Sequence, residues 1–380
     1  MSAPFSAEDH RFMARALRLA QRGLYTTDPN PRVGCVLVRE GRVVGEGWHR
    51  KAGEPHAERN ALAAAGDTAQ GATAYVTLEP CSHHGRTPPC AQGLIGAGVA
   101  RVVAAMPDPN PLVGGTGLKM LEEAGIETRV GLLQTEAEAL NPGFLQRMRQ
   151  GQPFVRCKLA MSLDGRTAMA SGESQWITAE AARHDVQFLR ARSSAIVTGV
   201  GSVLADDPSM NVRLSSDELP GVDREGDPRQ PLRVVLDTRL RTPPRARLLN
   251  VAGDSLIVCG EGASEETEAE LRDAGAEVLR LPQLGGRIVL PALLRALGDR
   301  GMNEILIEAG ATLAGSALMA GLVNELIVYV APQLLGHSAR GLVNLPGLEH
   351  LAERIQLQFT DARRVGPDLR VTLVPAQVRK

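Results

Sequence analysis

His56, Cys81 and Cys90 are residue types that hold zinc, and Glu58 stands two positions after the histidine. A catalytic zinc keeps three nitrogen or sulfur ligands and leaves one position open for water. One histidine and two cysteines make such a set. Glu58 is then left over for proton transfer beside that water, which is what hydrolytic zinc chemistry requires. The residues come in two pieces. His56-Ala57-Glu58 opens an alanine-rich helical run, Arg59 to Ala65, and Pro80-Cys81 through Pro89-Cys90 follows a short apolar strand, Thr73 to Leu78.

The competing reading is a structural zinc, which is normally closed by a fourth protein ligand. His83 and His84 lie between the cysteines and could provide it. A closed site, however, has no use for a glutamate two residues after the histidine. His/Cys/Cys with a non-ligand glutamate as general acid/base is the arrangement of nucleobase deaminases, whose signature is H-x-E followed by P-C-x-x-C. One spacing departs from it: eight residues, not two, separate Cys81 from Cys90.

The elements that carry these residues belong to an ordinary globular chain. With 380 residues two domains are the natural expectation, and a net charge of −1 with 22% charged and 43% hydrophobic residues gives no basic excess for nucleic acid. No apolar run approaches the roughly 18 residues of a membrane span. The N-terminus carries acids and a histidine where a signal peptide has its apolar core, so the cytoplasm is the expected location. Five cysteines argue against a disulfide framework. Cys35, Cys157 and Cys259 each fall in an apolar strand-like run and read as small core residues.

In chain order, Ser6 to Asp9 starts a helix whose Phe12, Met13, Ala16, Leu17 and Ala20 recur at helical spacing up to Gly23. Asp28-Pro29-Asn30-Pro31-Arg32-Val33-Gly34 is a turn into a strand from Val33 to Val38, with a hairpin at Glu40-Gly41 returning toward Trp48-His49. An ordinary loop explains these prolines; two prolines around Asn30 also hold its amide stiffly, as a base-reading group must be held. Strands from Arg101 to Ala105 and Ile126 to Val130 alternate with helices from Leu118 to Ala124 and Thr135 to Arg149, which points to a layered α/β domain. Gln150 to Pro153 reads as the junction, so domains of residues 1–149 and 150–380 are expected.

The second half repeats the α/β rhythm. Strands are expected at Phe154 to Ala160, Ala195 to Thr198, Arg233 to Leu236, Ser255 to Cys259, Glu304 to Ile307 and Glu325 to Val330. Helices are expected at Ala179 to Arg192, Ser264 to Ala274, Pro291 to Leu297 and Ala311 to Ala320, and Ser215 to Arg229 reads as an exposed acidic loop. There is no phosphate-binding P-loop, and Gly199-Val200-Gly201 supplies only two glycines of the dinucleotide fingerprint. Glu308-Ala309-Gly310-Ala311-Thr312 follows a strand and opens a helix, where a pyrophosphate or mere tight packing would both fit. Asp237-Thr238-Arg239 also sits just past a strand, and Arg239 and Arg241 could meet a phosphate or be only a solvated turn.

Together these motifs resemble the bifunctional deaminase/reductase family of riboflavin biosynthesis over nearly the whole chain. The resemblance rests on Asn30-Pro31-Arg32-Val33-Gly34, Pro55-His56-Ala57-Glu58, the long form Pro80-Cys81-Ser82-His83-His84-Gly85-Arg86-Thr87-Pro88-Pro89-Cys90, Lys158 to Gly165, Ser174 to Thr178, Thr198 to Pro208, and Glu308-Ala309-Gly310. It accounts for the eight-residue cysteine spacing. It implies an α/β chain of two domains, the first cytidine-deaminase-like with three α/β/α layers and the second dihydrofolate-reductase-like. The first would use zinc, held by His56, Cys81 and Cys90 with Glu58 catalytic, to remove an amino group from a pyrimidine bearing phosphoribosylamine. The second would reduce the ribosyl unit to ribityl with NADPH. The implied cofactor contacts are Ala160, Trp176, Ser202, Asp206, Thr238 and the run Gly310, Ala311, Thr312, Leu313, Ala314, Gly315 and Ser316. The implied substrate contacts are Asn30 and His49 in the first half and Ser174, Arg190, Met210, Arg213 and Glu308 in the second, with Arg190 and Arg213 on the phosphate.

Two positions depart from the commoner family pattern, Ser202 in place of Thr and Ala309 in place of a second Gly. Ser202 keeps the hydroxyl; Ala309 puts a methyl near the expected pyrophosphate. Partners are then a small phosphorylated pyrimidine and further copies of the chain, as a dimer or tetramer, with no nucleic acid and no membrane. The rival reading is another nucleobase or tRNA-adenosine deaminase fused to an unrelated α/β domain, which would show a short P-C-x-x-C loop and a basic surface. A regulatory protein with structural zinc only would lack Glu58 or a ligand.

Overall fold

The computed structural model describes residues 4–82, 89–110, 114–222 and 227–376. The chain divides into two compact units, Met1–Gly151 with Ser215–Pro228, and Gln152–Leu214 with Arg229–Lys380. Ser215–Pro228 is thus not simply an exposed loop of the second half. Leu219 is buried, and Gly221, at φ +84°, lies so close to the Arg22 carbonyl that a Cβ would come within 1.8 Å of it.

The first unit starts with α1 (Ala7–Gln21), capped by Ser6 and Asp9, each side chain bonding the other's backbone N–H. Its apolar stripe covers a five-stranded sheet of order β2-β1-β3-β4-β5. The strands are β1 (Gly34–Arg39), β2 (Arg42–Trp48), β3 (Thr73–Val76), β4 (Arg101–Ala104) and β5 (Glu127–Val130). β1 pairs antiparallel with β2 and β3, whereas β3, β4 and β5 run parallel. The connecting helices are α2 (Ala57–Ala65), α3 (Cys90–Gly96) and α4 (Thr116–Glu123). The helix expected over residues 135–149 is two, α5 (Gln134–Leu140) and α6 (Pro142–Gln150). Asn141 precedes a proline and is pushed out of the helical region to φ −124°, ψ 39°.

The second unit is built on a nine-stranded sheet of order β11-β10-β9-β8-β14-β6-β15-β18-β17. In chain order its elements begin with β6 (Phe154–Ser162), β7 (Arg166–Ala168), α7 (Glu180–Arg192), β8 (Ala195–Gly199), α8 (Val200–Asp206) and β9 (Leu232–Leu236). They continue with β10 (Ser255–Gly260), α9 (Glu265–Asp273), β11 (Glu277–Leu281), the small ribbon β12 (Gln283–Leu284) and β13 (Arg287–Ile288), and α10 (Leu290–Asp299). Last come β14 (Glu304–Glu308), α11 (Ala311–Met319), β15 (Glu325–Ala331), β16 (Arg340–Gly341), β17 (Leu357–Val365) and β18 (Asp368–Pro375). From β11 to β15 all neighbours are parallel, and β18 and β17 add antiparallel. The sheet is apolar on both faces where helices cover it, and Cys157 and Cys259 lie in those cores as Cys35 does in the first. No helix among the described residues is long and apolar enough to cross a membrane.

What seats α2, the helix that carries Glu58, is a glycine face on β2. A Cβ at Gly47 would lie 2.4 Å from the Ala57 carbonyl, and one at Gly45 2.3 Å from that of Ala61. Ala57, Ala61 and Ala65 are the small residues on the facing side. Gly47→Ala should therefore displace the helix and destabilise the first unit by about 1–3 kcal/mol, read as an earlier melting transition; an unchanged transition would contradict this packing.

Candidate functional site

His56 is the N-cap of α2, at φ −71° and ψ 166°, so its ring stands clear of the helix it introduces. Its Nδ1 lies 3.6 Å from Cys81 Sγ and 3.4 Å from Cys90 Sγ. Bonds from zinc to nitrogen and sulfur of about 2.1 and 2.3 Å, opened to the tetrahedral angle, put the two atoms about 3.6 Å apart. The three side chains thus meet at the spacing that zinc sets. No other His, Cys, Asp or Glu joins the group among the described residues; His83 and His84 lie outside them. Cys81 follows β3 and Cys90 begins α3, donating its N–H to Cys81 Sγ at 3.3 Å.

That geometry sorts the protonation states. The Cys90 thiol, His56 and the Cys90 N–H all stabilise the Cys81 thiolate and bring it down to about 4, against the cost of burial, while Cys90 is pushed up. A bound zinc draws both sulfurs to the thiolate form. Glu58 sits in the first turn of α2 with 3% of its surface exposed. Burial, then the Cys81 negative charge, pushes its carboxyl from 4.5 up to about 7. A carboxyl of that kind beside a metal can both take and return a proton near neutral pH.

His49 and Asn30 extend the site. Asn30 Nδ2 donates to His49 Nε2 at 3.0 Å, and His49 Nδ1 meets the Pro55 carbonyl at 3.2 Å, so this network sets the neutral Nδ1–H tautomer. Burial pulls His49 below its ordinary pKa and the nearby His56 adds to that, against the Pro55 contact. The His49 and His56 rings stand edge to face with centroids 5.4 Å apart. Asn141 was not singled out in the sequence, yet it fixes the Asn30 loop. Its amide accepts from the Arg32 N–H at 2.8 Å and donates to the Arg32 carbonyl at 2.9 Å. Only its place before Pro142 marks it. Trp48 is packed between the guanidinium groups of Arg22 and Arg50, 3.7 and 4.8 Å from its ring.

In the second unit the residues collect at the carboxyl ends of the parallel strands, where open α/β sheets bind ligands. Glu308 ends β14 and Lys158 lies opposite it on β6. Arg190, in the last turn of α7, holds Glu308 bidentately with Nε–Oε1 2.6 Å and Nη2–Oε2 2.9 Å, and its Nη1 donates to the Asn211 carbonyl at 3.0 Å. Burial opposes the Glu308 charge, but Arg190, Lys158 and Arg213 together hold its pKa below the usual range. Burial pulls Lys158 down, with Glu308 opposing and Arg190 assisting. Three cations thus face one carboxylate, an excess suited to an anion. Lys158 opens one of the motifs quoted from the sequence but has no site role assigned there; its signal is a lysine inside an apolar strand.

The remaining candidates divide. Ala160 lies on β6, Ser202 and exposed Asp206 on α8, and Thr238 just past β9. Gly310 is the N-cap of α11, and at Gly199, Gly201 and Gly310 a Cβ would meet nothing within 4 Å, so backbone stands bare at the ends of β8 and β14. That bareness fits the pyrophosphate of a dinucleotide. Further along α11, Ala314 and Gly315 turn into the core, Gly315 against the Asn344 carbonyl, and Leu313 packs on the same apolar cluster. Ala309 packs on that cluster too, so its methyl is directed at apolar neighbours. Met210 is buried, and Arg213 reaches Ser209 Oγ at 3.2 Å. Ser174 and Trp176 lie on the loop after β7; Trp176 is 67% exposed, its ring 4.6 Å from the Arg183 guanidinium. Arg239 and Arg241 are exposed.

Comparison with known proteins finds a separate family match in each half of the chain. Residues 6–106 match the cytidine and deoxycytidylate deaminase zinc-binding region, and residues 153–371 match the RibD C-terminal domain. The chain is 54% identical to the riboflavin biosynthesis protein RibD of Escherichia coli, over 97% of this chain and 100% of that one. To its counterpart from Haemophilus influenzae it is 53% identical, over 98% and 99%. Among solved structures, Acinetobacter baumannii RibD superposes with a TM-score of 0.89 at 48% identity, covering 97% of this chain and 99% of that one. The chain belongs to the RibD family of bifunctional riboflavin-biosynthesis deaminase/reductases, and His56, Cys81 and Cys90 are its zinc-binding deaminase site.

The Glu58 shift carries a sign that can be checked. A folded-state pKa of about 7 above the ordinary 4.5 means that the folded, metal-free unit keeps a proton which the unfolded chain gives up in that window. Its stability is then lost as pH rises through the window. Stripped of metal, the protein should lose more melting temperature between about pH 5 and pH 7.5 than the Glu58→Gln variant does. Equal losses would show that Glu58 is not the buried, proton-holding group.

Proposed function

We propose that the first unit hydrolyses the amino group held between the two ring nitrogens of a diaminopyrimidinone bearing phosphoribosylamine, and that the second then reduces the ribosyl group of the product to ribityl with NADPH. The observation that carries the reading is the His56, Cys81 and Cys90 set at zinc spacing with a buried, high-pKa Glu58 beside it. When bound, zinc supplies a water acidified to near neutrality. Glu58 would take one proton of the attacking water and give it to a ring nitrogen, and would then carry the remaining hydroxyl proton to the departing ammonia. The neutral His49 holds the Asn30 amide, whose carbonyl oxygen is the end left for a ring amino group.

For the second unit, NADPH supplies the hydride to the ribosyl C1′ when bound. Lys158, Arg213 and the Arg190–Glu308 pair form the polar end of that site. Three of the five Arg190 N–H groups are committed to Glu308 and Asn211, which makes Arg190 chiefly the holder of Glu308 and leaves Lys158 and Arg213 to meet the phosphate or the opened sugar oxygen. Ser202, Asp206, Thr238 and the start of α11 are the proposed cofactor contacts, supported by the open backbone there. The structure of a diaminohydroxyphosphoribosylaminopyrimidine deaminase/5-amino-6-(5-phosphoribosylamino)uracil reductase from Thermotoga maritima supports the substrate assignment, at 31% identity, TM-score 0.82 and coverage of 97% and 99%. A dimer or tetramer in the cytoplasm belongs to the same reading, supported by strand β17, where Phe359 is 72% exposed.

Ammonia release and cofactor absorbance followed separately test the division. Glu58→Gln should keep its zinc and lower ammonia release at least ~100-fold, while oxidation of NADPH by the already deaminated substrate continues at the wild-type rate. Normal ammonia release would remove Glu58 as the base, and joint loss of both signals in a folded, zinc-loaded protein would contradict the two-site scheme.

A further inference from the structure

Glu79 stands two residues before Cys81 and is no part of the ligand set. Only 3% of its surface is exposed, and its carboxylate accepts four backbone N–H groups. Oε1 takes Gly117 at 3.0 Å and Leu118 at 3.3 Å; Oε2 takes Asp108 and Gly115, each at 3.0 Å. A buried carboxylate is costly unless its lone pairs are filled. Here four donors fill them, two from the first turn of α4, whose dipole also favours negative charge. The same turn grips the chain on both sides of Cys81. A Cβ at Gly117 would lie 1.9 Å from the Pro80 carbonyl oxygen, an approach only glycine permits. Ser82 Oγ and Thr116 Oγ1 are 2.5 Å apart. Residues 79, 80 and 82 are thus docked on one turn, and the zinc ligand Cys81 lies between them.

We propose that Glu79 is a positioning residue for the deaminase metal: its clamp on the backbone of Asp108, Gly115, Gly117 and Leu118 fixes Cys81 and so sets how firmly zinc is retained. The inference rests on zinc being held by His56, Cys81 and Cys90. With both oxygens committed to backbone donors, Glu79 moves no proton. A carboxylate is required because glutamine has one acceptor oxygen, and its amide N–H groups would face two of the four donors and leave them unsatisfied. A loosened Cys81 lets zinc leave faster, and the reaction with zinc in place is unchanged.

The test is zinc transfer from the full-length holoprotein to a pyridylazo-resorcinol chelator, followed by absorbance, beside both activities. Glu79→Gln should transfer zinc about tenfold faster or more, with ammonia release at saturating zinc within about threefold of wild type. Cofactor oxidation should not change. Ser82→Ala, a half-buried hydroxyl whose loss leaves the carboxylate clamp intact, should transfer zinc about two- to threefold faster. Thr128→Val removes the hydrogen bond from Thr128 to Glu122 at the far end of α4 and should transfer zinc at the wild-type rate.

A role limited to seating α4 would speed Thr128→Val as much as the others, and that result overturns the proposal, as does a wild-type rate in Glu79→Gln. Should Glu79→Gln fail to fold, Ser82→Ala against Thr128→Val decides: equal rates overturn the proposal. Cys81→Ser must carry less than one zinc per chain, and a full equivalent would instead overturn the ligand assignment beneath it.

Discussion

One imidazole nitrogen and two sulfurs must meet at the spacing of a single zinc ion, and the first unit is arranged around that demand. The three atoms come from the cap of one helix, the chain after a strand and the first residue of another helix. None of these places is rigid alone. β2 offers a glycine face that lets α2 approach at backbone distance, and this fixes His56 and Glu58 together. The first turn of α4 fixes the chain around Cys81, and the Cys90 N–H completes the triangle. Burial, which these close packings enforce, also gives Glu58 its raised pKa.

The second unit solves another problem with the same economy of position. A parallel sheet gathers the carboxyl ends of β6, β8, β9 and β14 along one edge, so residues distant in sequence become neighbours. Strand register alone sets Lys158 beside Glu308. Arg190 arrives from α7 and neutralises Glu308, so the carboxylate can persist where its desolvation is costly. Bare glycine backbone stands at the ends of β8 and β14, and apolar residues of α11 hold that helix on the core.

How much of this was legible follows from how local each feature is. The zinc ligands and Glu58 were readable because residue type and short spacing define them, and the buried strands because apolar runs do. β17 was not, since its residues are largely exposed and follow no apolar pattern. The break between α5 and α6 was written in Asn141-Pro142 but hidden under a continuous helical composition. Asn141, Lys158 and Glu79 escaped because their partners lie 109, 150 and up to 39 residues away, and no local pattern announces such pairings. Segment Ser215–Pro228 reads as a solvated loop by charge, whereas Leu219 is buried and Gly221 packs on the Arg22 carbonyl.

The claim on which the rest stands is that the zinc is open, held by three protein atoms with its fourth position kept for water. X-ray absorption at the zinc edge of the resting enzyme measures this directly. An open site gives two sulfurs at about 2.3 Å, one imidazole nitrogen and one oxygen without imidazole scattering. Two imidazoles, from His56 and either His83 or His84, would describe a closed structural site and contradict it.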